Sequence, residues 1–165
     1  MSLAPVMDWQ LLPFDALSAR QLHDLLQLRS AVFVVEQACV FQDIDGADPL
    51  ALHLLGHRAG QLLAYARCFA PGLKCAEVSI GRVITVLEHR GTGLGHALMR
   101  QALESVAQRW GPQPVRIGAQ ARLKQFYVGH GFVDLNRPYI EDGIAHLEML
   151  RPAAVISSPS TERPA

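Results

Sequence analysis

The sequence predicts an α/β sandwich, a fold in which helices pack over a mixed sheet. Strand-like and helical hydrophobic patterns alternate along the chain in the order β-α-β-β-β-α-β-α-β-β, which favours this layered arrangement. The chain has 165 residues, half of them hydrophobic, so it is long and apolar enough to bury one sizeable core. No internal repeat or linker interrupts the first 151 residues. We therefore predict one domain over residues 1–151.

The first strand and the first helix are predicted by local signals. A short strand-like run covers residues 8–12. Ser18 followed by Gln21 is a capping box, in which each side chain binds the other residue's backbone N–H, and it marks a helix start. Apolar residues then recur at helical spacing as far as about Gln37. We predict a helix from Ser18 to Gln37, followed by a turn-rich loop with the sequence FQDIDGADP.

Three strands are predicted next. The runs ALHLLGHR and LLAYARCF alternate like strands and are separated by Ala59-Gly60, which is the pattern of a hairpin. After a break at Pro71-Gly72, the run EVSIGRVITV indicates a third strand.

The second half begins with a glycine-containing loop and a helix predicted from Gly93 to Arg109, which the segment GPQP ends. The remaining elements are a strand (VRIGA), a short helix (ARLKQFYVGHG) and two strands (FVDL and AHLEML). Residues 152–165 are rich in proline, serine and threonine and lack any periodicity. We predict that they form a disordered tail outside the domain.

Composition and charge exclude several classes of function. The formal net charge is zero, so no overall electrostatic attraction favours nucleic acid or an anionic membrane as a partner. No apolar run approaches the ~20 residues of a membrane span, and the N-terminus lacks the pattern of a signal peptide. The three cysteines form no C-x-x-C motif, which fits a reducing compartment. We therefore expect a cytoplasmic protein.

The segment HRGTGLGHALM places three glycines between a strand and a helix. The first N–H groups of a helix lack internal partners and carry the positive end of the helix dipole, so a phosphate can bind there if the backbone is accessible. The alternative is a tight turn and no more. The loop is not a Walker A motif, and the G-x-G-x-x-G spacing fails because the third position is Leu98. What remains is the pattern R-x-x-G-x-G.

Two segments resemble a known family. ITVLEHRGTGLGHALM is similar to the coenzyme A loop of the GNAT acyltransferases, and QARLKQFYVGHGF resembles the helix and strand that follow in that family. The segments LRSAVFVVEQACVFQDIDGAD, IGRVITV, AQARLKQFY and YIEDGIAH together resemble the ElaA-like branch of these proteins. The resemblance implies the GNAT fold, with a mixed central sheet flanked by helices, and acetyl transfer from acetyl-coenzyme A to an amine without a metal.

The resemblance also implies which residues hold the coenzyme. The pyrophosphate would be bound by the loop residues Arg90, Gly91, Thr92, Gly93, Leu94 and Gly95. The pantetheine arm would pair with the strand backbone at Ile84, Thr85 and Val86. Many members carry an asparagine before the second coenzyme helix, whereas this chain has Ala119-Gln120-Ala121. Gln120 is the residue that could replace that asparagine contact.

Acetyl transfer needs an acid that protonates the leaving thiolate and a route by which the amine loses its proton. The family places a tyrosine at Tyr127, which would be this acid; the alternative is a tyrosine that only packs between helix and sheet. No base is assigned from the sequence, because water serves in many members. The candidates are Glu36, His53, Glu77, Asp142, His146 and Glu148.

The first helix carries two charges on or beside its apolar face, Arg29 and Glu36. They are about 10 Å apart along the axis, too far to satisfy one another simply. Either they extend to solvent at the edge of the face, or they pair with DIDGAD, or they line a polar pocket. We predict that the acceptor is contacted by Arg29, Glu36, His53, Arg67, Arg82 and His146. Such a pocket suits an acceptor with both an amine and an acid group.

Three alternatives stay open at this stage. LRSAVFVVEQ and DIDGAD also resemble the R-x-x-V-F-x-x-E and D-x-x-D pattern of the acyl-homoserine-lactone synthases. A coenzyme A-binding sensor without turnover is a second alternative, and it differs in class because it is not an enzyme. The acceptor itself can be a small molecule or a peptide amine. The oligomeric state is also open, and a homodimer is compatible with the sequence.

Overall fold

A computed structural model describes residues 6–154 and contains one seven-stranded sheet with the strand order β1-β2-β3-β4-β5-β7-β6. The strands are β1 (Asp8–Pro13), β2 (Leu52–Arg58), β3 (Gln61–Phe69), β4 (Val78–Thr85), β5 (Val115–Gln120), β6 (Val133–Glu141) and β7 (Ile144–Arg151). The helices are α1 (Ala19–Arg29), continued by a π-helix (Ser30–Glu36), α2 (Leu94–Trp110) and α3 (Lys124–Val128). Short 3-10 turns cover Phe14–Ala16, Asp48–Leu50, Leu87–His89 and Ala121–Leu123. The predicted element order and the mixed sheet are confirmed. The predicted disordered tail lies almost wholly outside the described residues.

The first helix begins where the sequence predicts but ends differently. Gln21 N–H donates to Ser18 Oγ at 3.1 Å and Ser18 N–H donates to Gln21 Oε1 at 2.9 Å, which is the predicted capping box. From Ser30 the helix widens into the π form, so that Gln37 N–H donates to Val32 O, five residues back, at 3.2 Å. Single π turns are common next to functional sites.

The helices cover both faces of the sheet. α2 and α3 bury Leu98, Met99 and Tyr127 against strand residues that include Ile117 and Ala119. On the other face α1 and the π-helix form a second cluster, which contains Leu25, Val32, Leu55, Leu62, Tyr65 and Ile84. The two clusters together form the α/β sandwich that the sequence predicts.

The edge strand β6 is longer than the predicted strand over 132–135. It continues to Glu141 and pairs with β7, with an irregular register between Asp134 and Pro138. A proline is tolerated on an edge strand because one side of that strand needs no ladder donor. The hairpin then turns at Asp142-Gly143, where both residues have positive φ.

A cluster of three arginines and three aspartates, which we call the Arg–Asp cluster, ties the loop 42–48 to the sheet. Arg29 is fully buried; its Nε donates to Asp43 Oδ2 at 2.8 Å and its Nη1 donates to Asp48 Oδ1 at 2.7 Å. Arg67 Nη1 shares the same Asp48 oxygen at 2.8 Å, and its Nη1 and Nη2 also hold both oxygens of Asp45 at 2.8 Å. The prediction that Arg29 pairs with DIDGAD is thus confirmed.

A further arginine-to-aspartate contact joins β4 to the same loop, since Arg82 Nε donates to Asp43 Oδ1 at 2.8 Å. Burial by itself would raise the pKa of Asp48, but hydrogen bonds from Arg29 and Arg67 hold the pKa of this carboxyl below its usual value. Asp48 is therefore charged at neutral pH.

We predict that Asp48→Asn strongly destabilises the fold. The amide keeps the shape of the side chain but leaves Arg29 and Arg67 undercompensated in a dry site. Removing one partner of a buried ion pair lowers the free energy of unfolding by about 3 kcal/mol or more. Urea denaturation of both proteins measures this difference.

A matched control for this variant is Arg137→Gln, because Arg137 is 68% exposed and lies 3.5 Å from Glu148. Loss of such a surface pair should change the free energy of unfolding by about 1 kcal/mol or less. If Asp48→Asn were as stable as this control, the cluster would not carry the stabilising role assigned to it.

Candidate active site

A cleft opens between β4 and β5, the one parallel strand pair in the described sheet. These strands pair only at Val78 with Val115 and at Ser79 with Arg116, and then they diverge. The cleft leads into a cavity of about 720 Å³. Its wall includes residues of the strands β3 to β7, of α3, and of the π-helix and the loop that follows it. Backbone groups of β4 beyond Ser79 that face the cleft have no strand partner within residues 6–154.

A bulge interrupts β4 beside this cleft. Tyr65 of β3 pairs with Ile84, whereas Arg67 pairs with Gly81, so β4 has one extra residue between these pairs. Arg82 has φ +50°, a backbone conformation that residues other than glycine rarely adopt. Such strain costs on the order of 1–3 kcal/mol, and the bond from Arg82 to Asp43 helps to hold it. Because a bulge re-aims the strand, Arg82 reaches the cavity wall.

The glycine loop presents bare backbone at the start of α2. Gly91 and Gly93 have φ of +76° and +86°, and no atom lies within 4 Å of where a Cβ would be at either position. Gly93 is the N-cap of α2 and supplies no side-chain bond to the first helical N–H groups. The helix begins at Leu94, one residue from the predicted start. The loop therefore offers unobstructed N–H donors at the positive end of a helix dipole, which fits a phosphate.

Arg90, the charged residue of this loop, contacts the π-helix. Arg90 Nη2 donates to Glu36 Oε2 at 2.8 Å, and its Nη1 also contacts this carboxylate. This hydrogen bonding lowers the pKa of Glu36. Arg90 lies on the cavity wall, whereas Glu36 does not. The prediction that Glu36 contacts the acceptor is corrected, because its carboxylate is paired with Arg90 and lies off the cavity wall.

Two other predicted acceptor contacts, Arg29 and His53, are fully buried and form no part of the cavity wall. His53 Nε2 donates to Asp48 O at 2.9 Å, so His53 Nδ1 accepts from the Tyr65 hydroxyl at 2.7 Å. Burial lowers the pKa of His53 and keeps the ring neutral. Both ring nitrogens are occupied, and the prediction that these residues meet the acceptor is wrong. His53 is therefore also excluded as the base.

The remaining predicted contacts, Arg67, Arg82 and His146, all lie on the cavity wall. The Arg67 guanidinium lies 5.1 Å from the ring centroid of Phe69, and Lys74 Nζ lies 5.3 Å from the same ring. Lys74 makes no ion pair with any described residue, so it adds a free positive charge to this side of the cavity. The sequence does not reveal Lys74, because it lies in a loop without periodicity.

Tyr127 reaches the cavity from α3. Its ring packs edge-on against Phe126 and Phe132, with centroid distances of 5.1 and 5.8 Å. Burial raises the pKa of Tyr127 to about 12, so the phenol keeps its proton at neutral pH. Its hydroxyl forms no hydrogen bond with any described residue. The side chain thus packs and also brings a free proton donor to the cavity wall, and its role as the acid stays a prediction.

The structure divides the remaining base candidates. Glu77 binds Arg116 at 2.8 Å and Glu148 lies 3.4 Å from the same guanidinium, both away from the cavity wall. Asp142 and His146 lie on the wall. Gln120 is also on the wall, where its Oε1 accepts from Arg122 Nε at 3.1 Å.

Tyr139 is a wall residue that the sequence analysis misses. It lies on β6 and stacks on His146, with ring centroids 5.2 Å apart and an interplanar angle of 24°. Cys39, from the loop after the π-helix, also lies on the wall, and its Sγ donates to Asp142 O at 3.2 Å. This contact joins the loop to the β6–β7 hairpin across the cavity. An asparagine and a proline interrupt the alternating pattern of β6, so the sequence does not indicate the strand that carries Tyr139.

The described residues contain neither a cluster of metal ligands nor a membrane-spanning helix. Across residues 6–154, no three His, Cys, Asp or Glu side chains come together in a way that could hold a metal ion. No helix in that part of the chain is long and apolar enough to cross a membrane.

Comparisons with known proteins agree with this geometry. Residues 30–151 match the model of the acetyltransferase (GNAT) domain family. Protein ElaA of Escherichia coli is 45% identical over 148 residues, which cover 88% of this chain and 97% of that protein. A UPF0039 protein of Mycobacterium tuberculosis is 41% identical over 152 residues, covering 90% of this chain and 92% of the relative.

Solved structures match over the same region. The crystal structure of an acyl-CoA N-acyltransferase from Pseudomonas aeruginosa has a TM-score of 0.84 and 43% identity, and covers 88% of this chain and 99% of that one. The E. coli ElaA crystal structure has a TM-score of 0.82 and 44% identity, with the same coverage. The strand order, the parted parallel strands and these matches lead to one conclusion: the chain belongs to the GNAT acetyltransferase family and is similar to its ElaA-like members.

Proposed function

We propose that this protein is a cytoplasmic, acetyl-CoA-dependent N-acetyltransferase that moves an acetyl group to the amine of a small polar molecule or peptide. The observation that carries the proposal is the cleft between β4 and β5. Arg90 and Gly95, on either side of the helix N-terminus at Gly93, line the cavity, and so does Tyr127, whose hydroxyl has no hydrogen-bond partner among the described residues.

The residues present fit a coenzyme A thioester. The positions where a Cβ would stand at Gly91 and Gly93 are open, so a pyrophosphate could approach the N–H groups of α2. Arg90 adds a positive charge at the same place. Ile84 and Thr85 pair with β3, but β4 has no partner strand on its β5 side there, so backbone groups on that side are available to the amide groups of a pantetheine arm, and Gln120 of β5 lines the same cavity.

The chain's own groups can meet the needs of acetyl transfer. Tyr127 keeps its proton at neutral pH and can donate it to the sulfur that leaves. A backbone N–H near Ile84 or Thr85 can polarise the thioester carbonyl, since β4 has no partner strand on its β5 side at these positions.

The charges on the wall favour a polar acceptor. Lys74 and Arg82 lie on the side of β3 and β4, whereas Glu141 and Asp142 lie on the β6–β7 hairpin. An acceptor with an amine directed toward the hairpin and an acid group directed toward Lys74 would match both sides.

The two alternatives gain no support from the site. The R-x-x-V-F-x-x-E and D-x-x-D pattern that resembles the lactone synthases is used internally, because Arg29 binds Asp48 and Glu36 binds Arg90. A sensor without turnover would not need a free phenol on the wall, although Tyr127 also packs.

The proposal is tested by release of free thiol from acetyl-CoA in the presence of a panel of primary amines: amino acids, polyamines, amino sugars and short peptides. We expect at least one amine to accelerate thiol release well above hydrolysis without amine. Equal rates with and without every amine, together with tight coenzyme A binding, would favour the sensor.

We predict that Gly93→Asp weakens coenzyme A binding by about 10²-fold or more. The new carboxylate would stand against the pyrophosphate, and two like charges about 4 Å apart repel by several kcal/mol near a protein surface. Calorimetric titration with coenzyme A measures the change.

Gly93→Asn is the matched control for that variant, because it has the same shape without the charge and tolerates positive φ. The Asn variant should bind at least tenfold more tightly than the Asp variant. Equal affinity in the wild type and both variants would rule out this loop as the phosphate site.

We predict that Tyr127→Phe lowers the rate of the chemical step by roughly 10²-fold, the low end for general acid catalysis, because only the hydroxyl is lost. Coenzyme A affinity should stay near that of the wild type. Single-turnover kinetics with saturating acetyl-CoA isolate this step. Unchanged single-turnover rates would leave Tyr127 with the packing role alone.

A further inference from the structure

We infer that His146 is the group that accepts the proton of the acceptor amine and that Tyr139 positions its ring; this inference rests on the proposed acetyl transfer. It follows from four observations. Three concern the sheet face opposite α2 and α3: paired residues on neighbouring strands that share this face, the tautomer of His146, and the confined ring of Tyr139. The fourth is that Tyr127, the proposed acid, lies on the other face.

The register row crosses three strands. In the sheet, Gln120 of β5 pairs with His146 of β7, and His146 pairs with Tyr139 of β6. Directly opposed residues in antiparallel strands have their side chains on the same face. Gly118 lies two residues from Gln120 and shares this face, since side chains alternate along a strand. All four residues line the cavity.

The tautomer of His146 follows from its hydrogen bond. Nδ1 lies 2.7 Å from the carbonyl oxygen of Ile144, and a carbonyl oxygen only accepts, so Nδ1 carries the proton. The other nitrogen, Nε2, therefore has a free lone pair in the neutral ring. Its carboxylate neighbour, Glu141 Oε2, is 3.8 Å away, which is beyond hydrogen-bond distance. A ring held in this tautomer has its one proton-accepting atom available.

Tyr139 fixes the plane of this ring. It stacks on His146 at 5.2 Å and extends over β5 at Gly118, where an added Cβ would lie 2.2 Å from the Tyr139 hydroxyl and 3.5 Å from Cζ. Only a glycine leaves room for the hydroxyl there. The Tyr139 ring is thus confined between the imidazole and the β5 backbone. Because Gly118 leaves room for Tyr139, and Tyr139 stacks on His146, a larger residue at position 118 would displace both rings.

His146 and Tyr127 lie on opposite sides of the cleft. Tyr127 packs with Ile117 and Ala119, whose side chains point to the α2–α3 face, whereas His146 shares the other face with Gly118. A thioester held between the diverging strands would have the acid on one side and the proton acceptor on the other.

The proton and bond changes balance. His146 Nε2 takes one proton from the ammonium form of the acceptor, and the freed nitrogen lone pair forms the C–N bond at the thioester carbonyl as the C–S bond breaks. Tyr127 gives its proton to the sulfur and regains one, through solvent, from the nitrogen that becomes the amide. His146 returns its proton to water. Ammonium and thioester thus become amide, thiol and one free proton.

The charged groups around His146 favour an ammonium group there. Glu141 of β6 and Asp142 of the turn are negative, while Arg122 at the end of β5 is positive and bound to Gln120. Both carboxylates are exposed. His53, a fully buried histidine on the same face, has both ring nitrogens in use.

The first test needs no acceptor and no activity. Two-bond proton–nitrogen correlation spectra of the uniformly labelled full chain, at alkaline pH, report which ring nitrogen of each neutral histidine is protonated. His146→Gln assigns the signal by its loss. We expect His146 to be protonated on Nδ1 and unprotonated on Nε2. A ring protonated on Nε2 would overturn the inference.

The second test is kinetic and uses the most active amine of the panel with acetyl-CoA. His146→Gln should lower kcat/KM by about 10²-fold at neutral pH, with coenzyme A affinity retained. Its rate should then rise about tenfold per pH unit until the amine itself loses its proton, while the wild type levels off earlier. His23→Gln is the control, because His23 is 67% exposed on α1 and far from the wall.

The third test concerns Tyr139. Gly118→Ala should displace the ring and lower kcat/KM about tenfold, and the double variant Gly118→Ala, Tyr139→Phe should be several-fold faster than Gly118→Ala alone, because the clashing oxygen is gone. A double variant no faster than Gly118→Ala would remove Tyr139 as the positioning residue.

The outcomes separate the two proposals. If no amine accelerates thiol release by the wild type, the proposed function fails, and the nitrogen spectrum still decides the geometry of His146. If the wild type turns over and His146→Gln matches it within twofold, the proposed function stands and the role of His146 is overturned.

Discussion

The structure depends on the neutralisation of Arg29, a guanidinium that solvent does not reach. A buried charge costs several kcal/mol unless it is paired and hydrogen-bonded. Its partners, Asp43 and Asp48, lie 14 and 19 residues further along the chain, so they bring the intervening loop back over the sheet. That loop is part of the cavity wall. The two buried ion pairs of Arg29 therefore hold in place the loop that forms part of the cavity wall.

The same carboxylates organise the strands beneath the loop. Asp43 also accepts from Arg82 at the β4 bulge, and Asp48 also accepts from Arg67 of β3. Because Arg29 and Arg67 lower the pKa of Asp48 in the folded state, its contribution to stability is present above the usual carboxyl pKa and is lost as pH falls through the lowered value. The loop is thus held more firmly at neutral pH than at acidic pH.

Local rules were sufficient for much of the fold and for the position of the glycine loop at the start of α2. The capping box at Ser18 and the glycine loop at Gly93 are short-range signals, and both were predicted correctly. Long-range pairing was not predictable from pattern. Nothing in the spacing shows that Glu36 reaches Arg90, 54 residues away, or that His53 turns inward to Tyr65. Tyr139 was missed because its strand contains a proline and lies at the sheet edge, where alternation weakens.

The parallel pairing of β4 and β5 explains why the two halves of the site meet. Parallel strands joined by a helix start at the same end, so once they diverge the gap widens toward the carboxyl end of β4. α2 begins at that end, with its unpaired N–H groups beside the opening. The gap also lets Tyr127 of the α3 layer and His146 of the opposite face line one cavity, although the sheet separates them elsewhere. A continuous ladder from Ser79 onward would close the cavity between them. The loss of strand pairing is therefore the structural condition for Tyr127 and His146 to line one cavity.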